Sequence, residues 1–375
     1  MHRTAKLVLV PLSIGLVGLA IGEILARTVF ARATPARAMA AYDPDEHADF
    51  RLRPIDDRSG GASLRVTEHG TRGKDFDPRK PDGVFRILGL GDSFAFGRAV
   101  GDDETFYARS ARLLTERHGH RGIEVLNAGC PSYGIWQEAA VLEHRALAWQ
   151  LDAVVVQTFL WNDAFESTSR DSFTVVDGFL IPTELVDEVP AWKRRLVAAL
   201  DHSALFRLVR VVGADPDAAA RGGRLRTGGL GERARSLLYV DELRWHEPIG
   251  PAWKLCLEQL RGLVDLAQAH ALPVAVLNVP GLREVSKTSR STWAQRLSIP
   301  VERLDVGAPW RDVERMLAKD GVLLVDLRPT IDALDDDAID ALYVADGHLS
   351  QAGHALAADV LARALHADGR FTPKR

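Results

Sequence analysis

The sequence predicts a three-layer, doubly wound α/β domain of the flavodoxin-like kind, built on about five parallel strands. Two observations carry this. Short apolar runs alternate along the chain with longer segments of helical spacing, and the runs end in Gly, Asn or Asp turn residues. The runs are apolar at successive positions rather than alternate ones, as expected of parallel strands covered on both faces.

The elements follow in order. Residues 7–22 (LVLVPLSIGLVGLAIG) come after Arg3 and Lys6 and lead through Glu23 to Ile24, Leu25 and Ala26. With Glu23 at an interface, this stretch approaches the roughly 20 residues that cross a bilayer. An N-terminal transmembrane helix is therefore expected within residues 1–30. Arg3 and Lys6 then keep the N-terminus inside and place the rest of the chain outside the cytoplasm, in a periplasmic position. Ala31-Arg32-Ala33 has the small-x-small form of a signal-peptidase site, so cleavage of the segment stays open. Residues 31–80, rich in Ala, Pro, Gly, Arg and Asp, read as a linker and irregular lead-in.

From residue 81 the α/β rhythm begins. Val84–Leu90 (VFRILGL) is the first strand, closed by Gly91, and Thr105–His118 the first helix, with Tyr107, Ala111 and Leu114 on one face. Ile123–Leu126 and Trp136–Gln150 form the next pair, and Ala153–Leu160 (AVVVQTFL) the third strand. Residues 164–248 break the pattern with Pro, Gly and Arg clusters, and read as an insertion after strand three with a short helical patch at Trp192–Leu200. Its Arg-rich middle, 221–235, carries no apolar stripe. Such an excursion from the active-site edge is expected to form a lid or wall there. Helix Pro251–Ala271, strand Val274–Val279, helix Trp310–Lys319, strand Val322–Asp326 and helix Ala352–His366 complete the domain.

Composition narrows the function. With 46% hydrophobic and 26% charged residues, the chain can bury a large core. Forty-seven basic against 51 acidic residues, with no long run of one sign, argue against nucleic acid as partner. Two cysteines, Cys130 and Cys256, exclude a disulfide scaffold or a Cys-rich zinc module, and whether they pair stays open. His118-Gly119-His120 reads as a helix end rather than a metal site, and no metal or other cofactor is expected.

The chemistry-bearing residues fall where strands end, the edge at which doubly wound sheets bind ligands. Strand one runs into Gly91-Asp92-Ser93, strand two into Asn127-Ala128-Gly129 and strand three into Trp161-Asn162-Asp163. Asp346-Gly347-His348 precedes the last helix. A serine, a histidine with a carboxylate nearby, and donors for an oxyanion make up the set that acyl transfer needs. Taken singly, each is also ordinary turn or cap chemistry.

These four motifs, in this order, resemble the blocks of the SGNH (GDSL-type) hydrolases over residues 84–368, most of 164–248 excepted. The lead-in RVTEHGTRG, Arg65–Gly73, is similar to segments in anchored members of that family. The resemblance implies Ser93 as nucleophile, His348 as base and Asp346 as its orienter. It implies an oxyanion hole from the Ser93 and Gly129 N–H groups and the Asn162 amide. Two positions depart from the pattern. Leu160 stands where the family usually has a glycine, which is expected to narrow the pocket, and one residue rather than two separates Asp346 from His348. Ser350 and His354 read as helix-start residues, and Asp92 and Asp163 as loop holders. The function implied is an esterase that cleaves small acyl esters. An O-acyltransferase acting on an envelope polysaccharide, and a non-catalytic binding protein on the same fold, are the alternatives.

Overall fold

The computed structural model describes residues 2–30, 41–58, 63–117, 119–120, 122–212 and 232–373. The strands are β1 (Tyr42–Asp45), β2 (Asp49–Leu52), β3 (Ile55–Asp57), β4 (Leu64–Val66), β5 (Phe85–Leu90), β6 (Ile123–Asn127), β7 (Ala153–Thr158), β8 (Phe173–Val176), β9 (Phe179–Pro182), β10 (Val274–Asn278) and β11 (Leu323–Asp326). The helices used below are α1 (His2–Thr28), α2 (Ser93–Phe96), α3 (Phe106–Glu116), α4 (Ile135–His144), α5 (Leu160–Glu166), α6 (Ala191–Leu200), α7 (Ala204–Val212), α8 (Gly250–Ala269), α9 (Ala308–Leu317) and α10 (Gln351–Asp368).

The central sheet is five-stranded and parallel, in the order β6-β5-β7-β10-β11. Numbered along the chain that is 2-1-3-4-5, the flavodoxin-like arrangement whose switch point lies between the first and third strands. The strand side chains alternate between two cores. Leu88, Leu90, Val154, Val156, Val274 and Val276 face one, with Val141 of α4, Trp253 and Leu263 of α8 and Trp310 of α9. Ile87, Ala153, Val155, Ala275 and Leu277 face the other, with Phe106 and Leu114 of α3 and Leu361 and Leu365 of α10. Each Val, Leu, Ile or Phe among them taken fully from water contributes about 1.5–3 kcal/mol, so both faces of the sheet must stay covered. Local chemistry sets the helix ends. The Thr105 hydroxyl accepts from Ala108 N–H (3.2 Å) to cap α3, Ser350 caps α10 through Gly353 N–H (3.3 Å), and Pro251 lies in the first turn of α8.

The expected transmembrane helix is not supported. Residues His2–Thr28 do form one helix, but among the described residues no helix is long and apolar enough to cross a membrane. The physical reason is Glu23, a carboxylate that ends the apolar run and is bound within the chain. It accepts hydrogen bonds from the Ser203 hydroxyl (2.7 Å) and from the N–H groups of Ala204 (2.9 Å) and Leu205 (3.0 Å), where α7 begins. Arg27 Nε donates to the same carboxylate at 2.7 Å. From Leu7 to Glu23 the helix rises only about 24 Å, against a hydrocarbon thickness of about 30 Å. The Ala31-Arg32-Ala33 site lies outside the described residues.

The lead-in is more ordered than its composition suggests. It holds two antiparallel pairs, β1 with β2 and β3 with β4, and is pinned to the sheet where Arg72 bridges Val66 to Asn127 at the end of β6. The insertion carries its own hairpin, β8 with β9, turning through Asp177 (φ +54°) and Gly178 (φ +85°). This hairpin meets the lead-in: Tyr42 N–H donates to Gly178 C=O (3.1 Å), and the Phe50 and Phe173 rings lie 6.5 Å apart. Phe173, Val175 and Leu180 pack against the core, whereas Leu196 and Leu200 of α6 are exposed. Residues 213–231, most of the Arg-rich middle, lie outside the described residues, as does His118. Cys130 and Cys256 are both buried free thiols.

Candidate active site

Ser93 opens α2 directly beyond β5, and the turn that carries it is closely packed. A Cβ on Gly91 (φ +149°) would lie 2.4 Å from Gln157 Oε1 and 2.6 Å from the Ala95 Cβ, so only glycine fits. Asp92 accepts from Phe94 N–H at 2.8 Å, and Gln157 Oε1 from Asp92 N–H (3.2 Å) and Ala95 N–H (3.1 Å). Gly97, left-handed at φ +78°, ends the helix by donating to Ser93 C=O (3.1 Å).

The structure brings Ser93, His348 and Asp346 together. His348 Nε2 lies 2.8 Å from Ser93 Oγ, and His348 Nδ1 lies 2.9 Å from Asp346 Oδ1. The same Asp346 oxygen accepts from His348 backbone N–H at 3.1 Å. The one-residue spacing has a structural reason. With Gly347 left-handed (φ +86°) between them, the carboxylate turns back to hold both the backbone and the ring of His348. Burial pushes the Asp346 carboxyl up, but its bonds to His348 outweigh that and bring it down to about 2. It is therefore anionic wherever a neutral imidazole could act as base. Ser93 is buried and the His348 ring is partly accessible (18%), so the pair lies just beneath the surface.

The oxyanion residues divide. The Ser93 N–H is at the turn itself, and Asn162, in α5, is near enough to Asp92 for its amide to lower that carboxyl. Gly129 is differently placed, since its N–H donates to Asn127 Oδ1 at 3.0 Å. A Cβ there would lie 2.6 Å from both Ala95 Cβ and Phe96 N, so the close approach of α2 requires glycine at 129. Leu160, at the family's glycine position, is buried in the core.

Behind the turn lie three buried acids. Burial, more than any neighbour, raises Asp92 to about 6 and raises Glu138 and Asp163 well above the ordinary carboxylate range. Asp92 and Glu166 raise Glu138 and Asp163 further, whereas the Phe94 N–H that Asp92 accepts draws Asp92 back down. Asp92 holds the loop as expected. Asp163 does not visibly do so, since its Oδ2 is buried without a partner. Aromatic rings wall the site: Phe94 lies 5.2 Å from the His348 ring and 4.8 Å from Phe159, which is 6.1 Å from Trp161. The insertion adds Arg235, its guanidinium 5.0 Å from the Trp161 ring and 4.5 Å from that of Phe165.

His354, in the first turn of α10, is turned towards α3. Its Nδ1 accepts from Phe106 N–H at 3.2 Å, and burial, with Arg72 and Arg109 nearby, lowers its pKa to about 3. An unfolded chain takes up this proton near pH 6.5 and the folded one only near 3, so stability is lost as pH falls through that window. Urea unfolding at pH 7 and pH 5 should show a drop for the wild type of up to about 1.4 kcal/mol per pH unit from this group, and a smaller drop for His354→Gln. Equal drops would mean that His354 is not held neutral.

Sequence reasoning missed Gln157, Asn127 and Arg72. Asn127 Nδ2 donates to Ala95 C=O (2.8 Å), tying β6 to α2. Buried Arg72 donates to Asp102 (2.9 Å) and to the carbonyls of Phe96, Gly97 and Val100 just beyond α2. The usable signal was a polar residue inside a buried apolar strand (Gln157) and an asparagine at a strand end. Arg72 lies in the family-like lead-in segment Arg65–Gly73, but nothing there marks it as buried.

No family model and no curated protein matches the sequence. Solved structures are similar to it at TM-scores of 0.38 to 0.42. A lipase/acylhydrolase from Enterococcus faecalis is 16% identical, over 78% of this chain and 100% of that one, with a TM-score of 0.42. A catalytic mutant of an acetylxylan esterase from Geobacillus stearothermophilus is 17% identical, over 79% and 100%, at 0.40. A protein of the G-D-S-L lipolytic family from Desulfitobacterium hafniense is 13% identical, over 75% and 99%, at 0.38. The structures that this chain is similar to are thus G-D-S-L lipolytic proteins, acylhydrolases and acetylxylan esterases.

Proposed function

We propose that the chain is a serine ester hydrolase of the SGNH type, acting on small acyl esters. The observation that supports this is the hydrogen-bonded chain from Ser93 Oγ through His348 to Asp346, at 2.8 and 2.9 Å. A serine hydroxyl is a weak nucleophile until a base takes its proton, and His348 Nε2 is at hydrogen-bonding distance for that transfer. As Ser93 Oγ attacks the acyl carbon, the proton passes to His348 and Asp346 stabilises the imidazolium. The Ser93 N–H and the Asn162 amide meet the oxyanion. Its collapse breaks the ester C–O bond, and His348 returns the proton to the leaving alcohol. Water, activated by the same imidazole, then releases the acid. Phe94 beside the imidazole, with Phe159 packed on Phe94, suits a short acyl chain.

A fluorophosphonate should label the purified protein at Ser93 alone, and p-nitrophenyl acetate should be hydrolysed with a burst equal to the enzyme present. Ser93→Ala should lose both. Labelling of the mutant at the wild-type rate would rule out this reading.

A further inference from the structure

Gln157 is a carboxamide at 1% exposure in the middle strand of the sheet, with Val154, Val155 and Val156 before it. Burying such a group costs free energy unless its polar atoms are satisfied. Its Nε2 has no hydrogen-bond partner in the protein, so a valine or leucine there would pack at lower cost. What the carboxamide does have is an oxygen that accepts from both Asp92 and Ala95, the residues that bracket Ser93 and Phe94. Asp92 takes Phe94 N–H. Three of the four consecutive N–H groups at 92–95 are thus held by side chains, and the fourth belongs to Ser93. Gly91 closes the arrangement, since no larger residue leaves room for the Gln157 oxygen.

We infer that Gln157 is a positioning residue for the nucleophile: by holding the N–H groups on either side, it orients the Ser93 hydroxyl towards His348 and the Ser93 N–H towards the oxyanion. This rests on Ser93 being the nucleophile, as proposed above. It acts from the strand across the switch point, so the turn is fixed by the sheet and not only by its own residues. The effect is on the transition state, because the ground-state ester does not depend on the oxyanion donor.

The test compares Gln157→Leu, which removes the acceptor, with Gln157→Glu, which keeps a carbonyl-type acceptor at the same place. Steady-state hydrolysis of p-nitrophenyl acetate, fluorophosphonate labelling rate and melting temperature are read for each. Gln157→Leu should lower kcat and the labelling rate by about 10²-fold with KM within about twofold. Gln157→Glu should keep kcat within about threefold. A residue that only fills space would let Leu melt no lower and turn over normally, and that result overturns the inference, as does a loss carried by KM. If Gln157→Leu does not fold, Gln157→Glu decides: retained kcat supports the role and a hundredfold loss refutes it. Absence of wild-type labelling would instead sink the ester-hydrolase reading, and this inference with it.

Discussion

Ser93→Ala is expected to lower kcat about 10⁴-fold or more, and adding His348→Ala to it is expected to cost almost nothing further. The reason is in the geometry. His348 Nε2 has Ser93 Oγ as its partner at 2.8 Å, so once the hydroxyl is gone the base has no proton to move. Asp346→Asn should cost about as much as losing the base, because an amide at 2.9 Å from Nδ1 can hold the ring in the wrong tautomer. Purified single, double and triple variants, compared on one activated acetate ester, check this. Multiplying effects, each variant adding its own factor, would mean that the three side chains do not act as a unit. Residual activity in all of them, above the rate in water, is expected from the Ser93 N–H and Asn162, which none of these changes removes.

How much of this was legible in the sequence follows from what kind of interaction each residue makes. The five parallel strands were legible because a strand buried on both faces must be apolar at every position, as in Ala153-Val154-Val155-Val156. Their order placed Ser93, Asn162 and His348 on one edge before any side chain was located. The hairpins of the lead-in were not legible. Strands of three or four residues such as Ile55–Asp57 are too short and too polar to show a period. The β8/β9 hairpin left a readable signal, Asp177-Gly178 between Val176 and Phe179, which is the pairing that favours a two-residue turn. Its strands themselves are hard to read, because both faces are half-buried and alternation is blurred. The N-terminal segment misled for the opposite reason. Hydropathy counts side chains and not their partners, and Glu23 has a partner more than 170 residues away in sequence. The close approach of α2 to Gly129 was not legible, since it joins residues that are more than thirty apart in sequence.

The buried arginine of the lead-in makes the second large prediction. Arg72 is sealed from solvent, with its guanidinium joining Asp102 to three carbonyls of the loop that follows α2. Arg72→Met keeps the packing volume but removes the donors, so three buried carbonyls and a partly buried carboxylate lose their partner together. Breaking a buried pair from one side costs about 3–5 kcal/mol, far more than the pair contributes when both members are replaced. The urea midpoint of Arg72→Met should therefore fall by the equivalent of that amount. Asp102→Asn on top of it should recover part of the loss, because the stranded charge is then gone. Asp102 keeps Arg65 N–H as a donor (3.1 Å), so the recovery should be incomplete. Arg72→Lys should lie between the two, since one ammonium cannot reach all four acceptors that the planar fork spans. Because Phe96 and Gly97 end the helix that begins at Ser93, the fluorophosphonate labelling rate of Arg72→Lys should fall as well, although residue 72 touches neither Ser93 nor His348. A midpoint within about 1 kcal/mol of wild type for Arg72→Met would show that the loop beyond α2 holds itself, and that the lead-in merely lies against it.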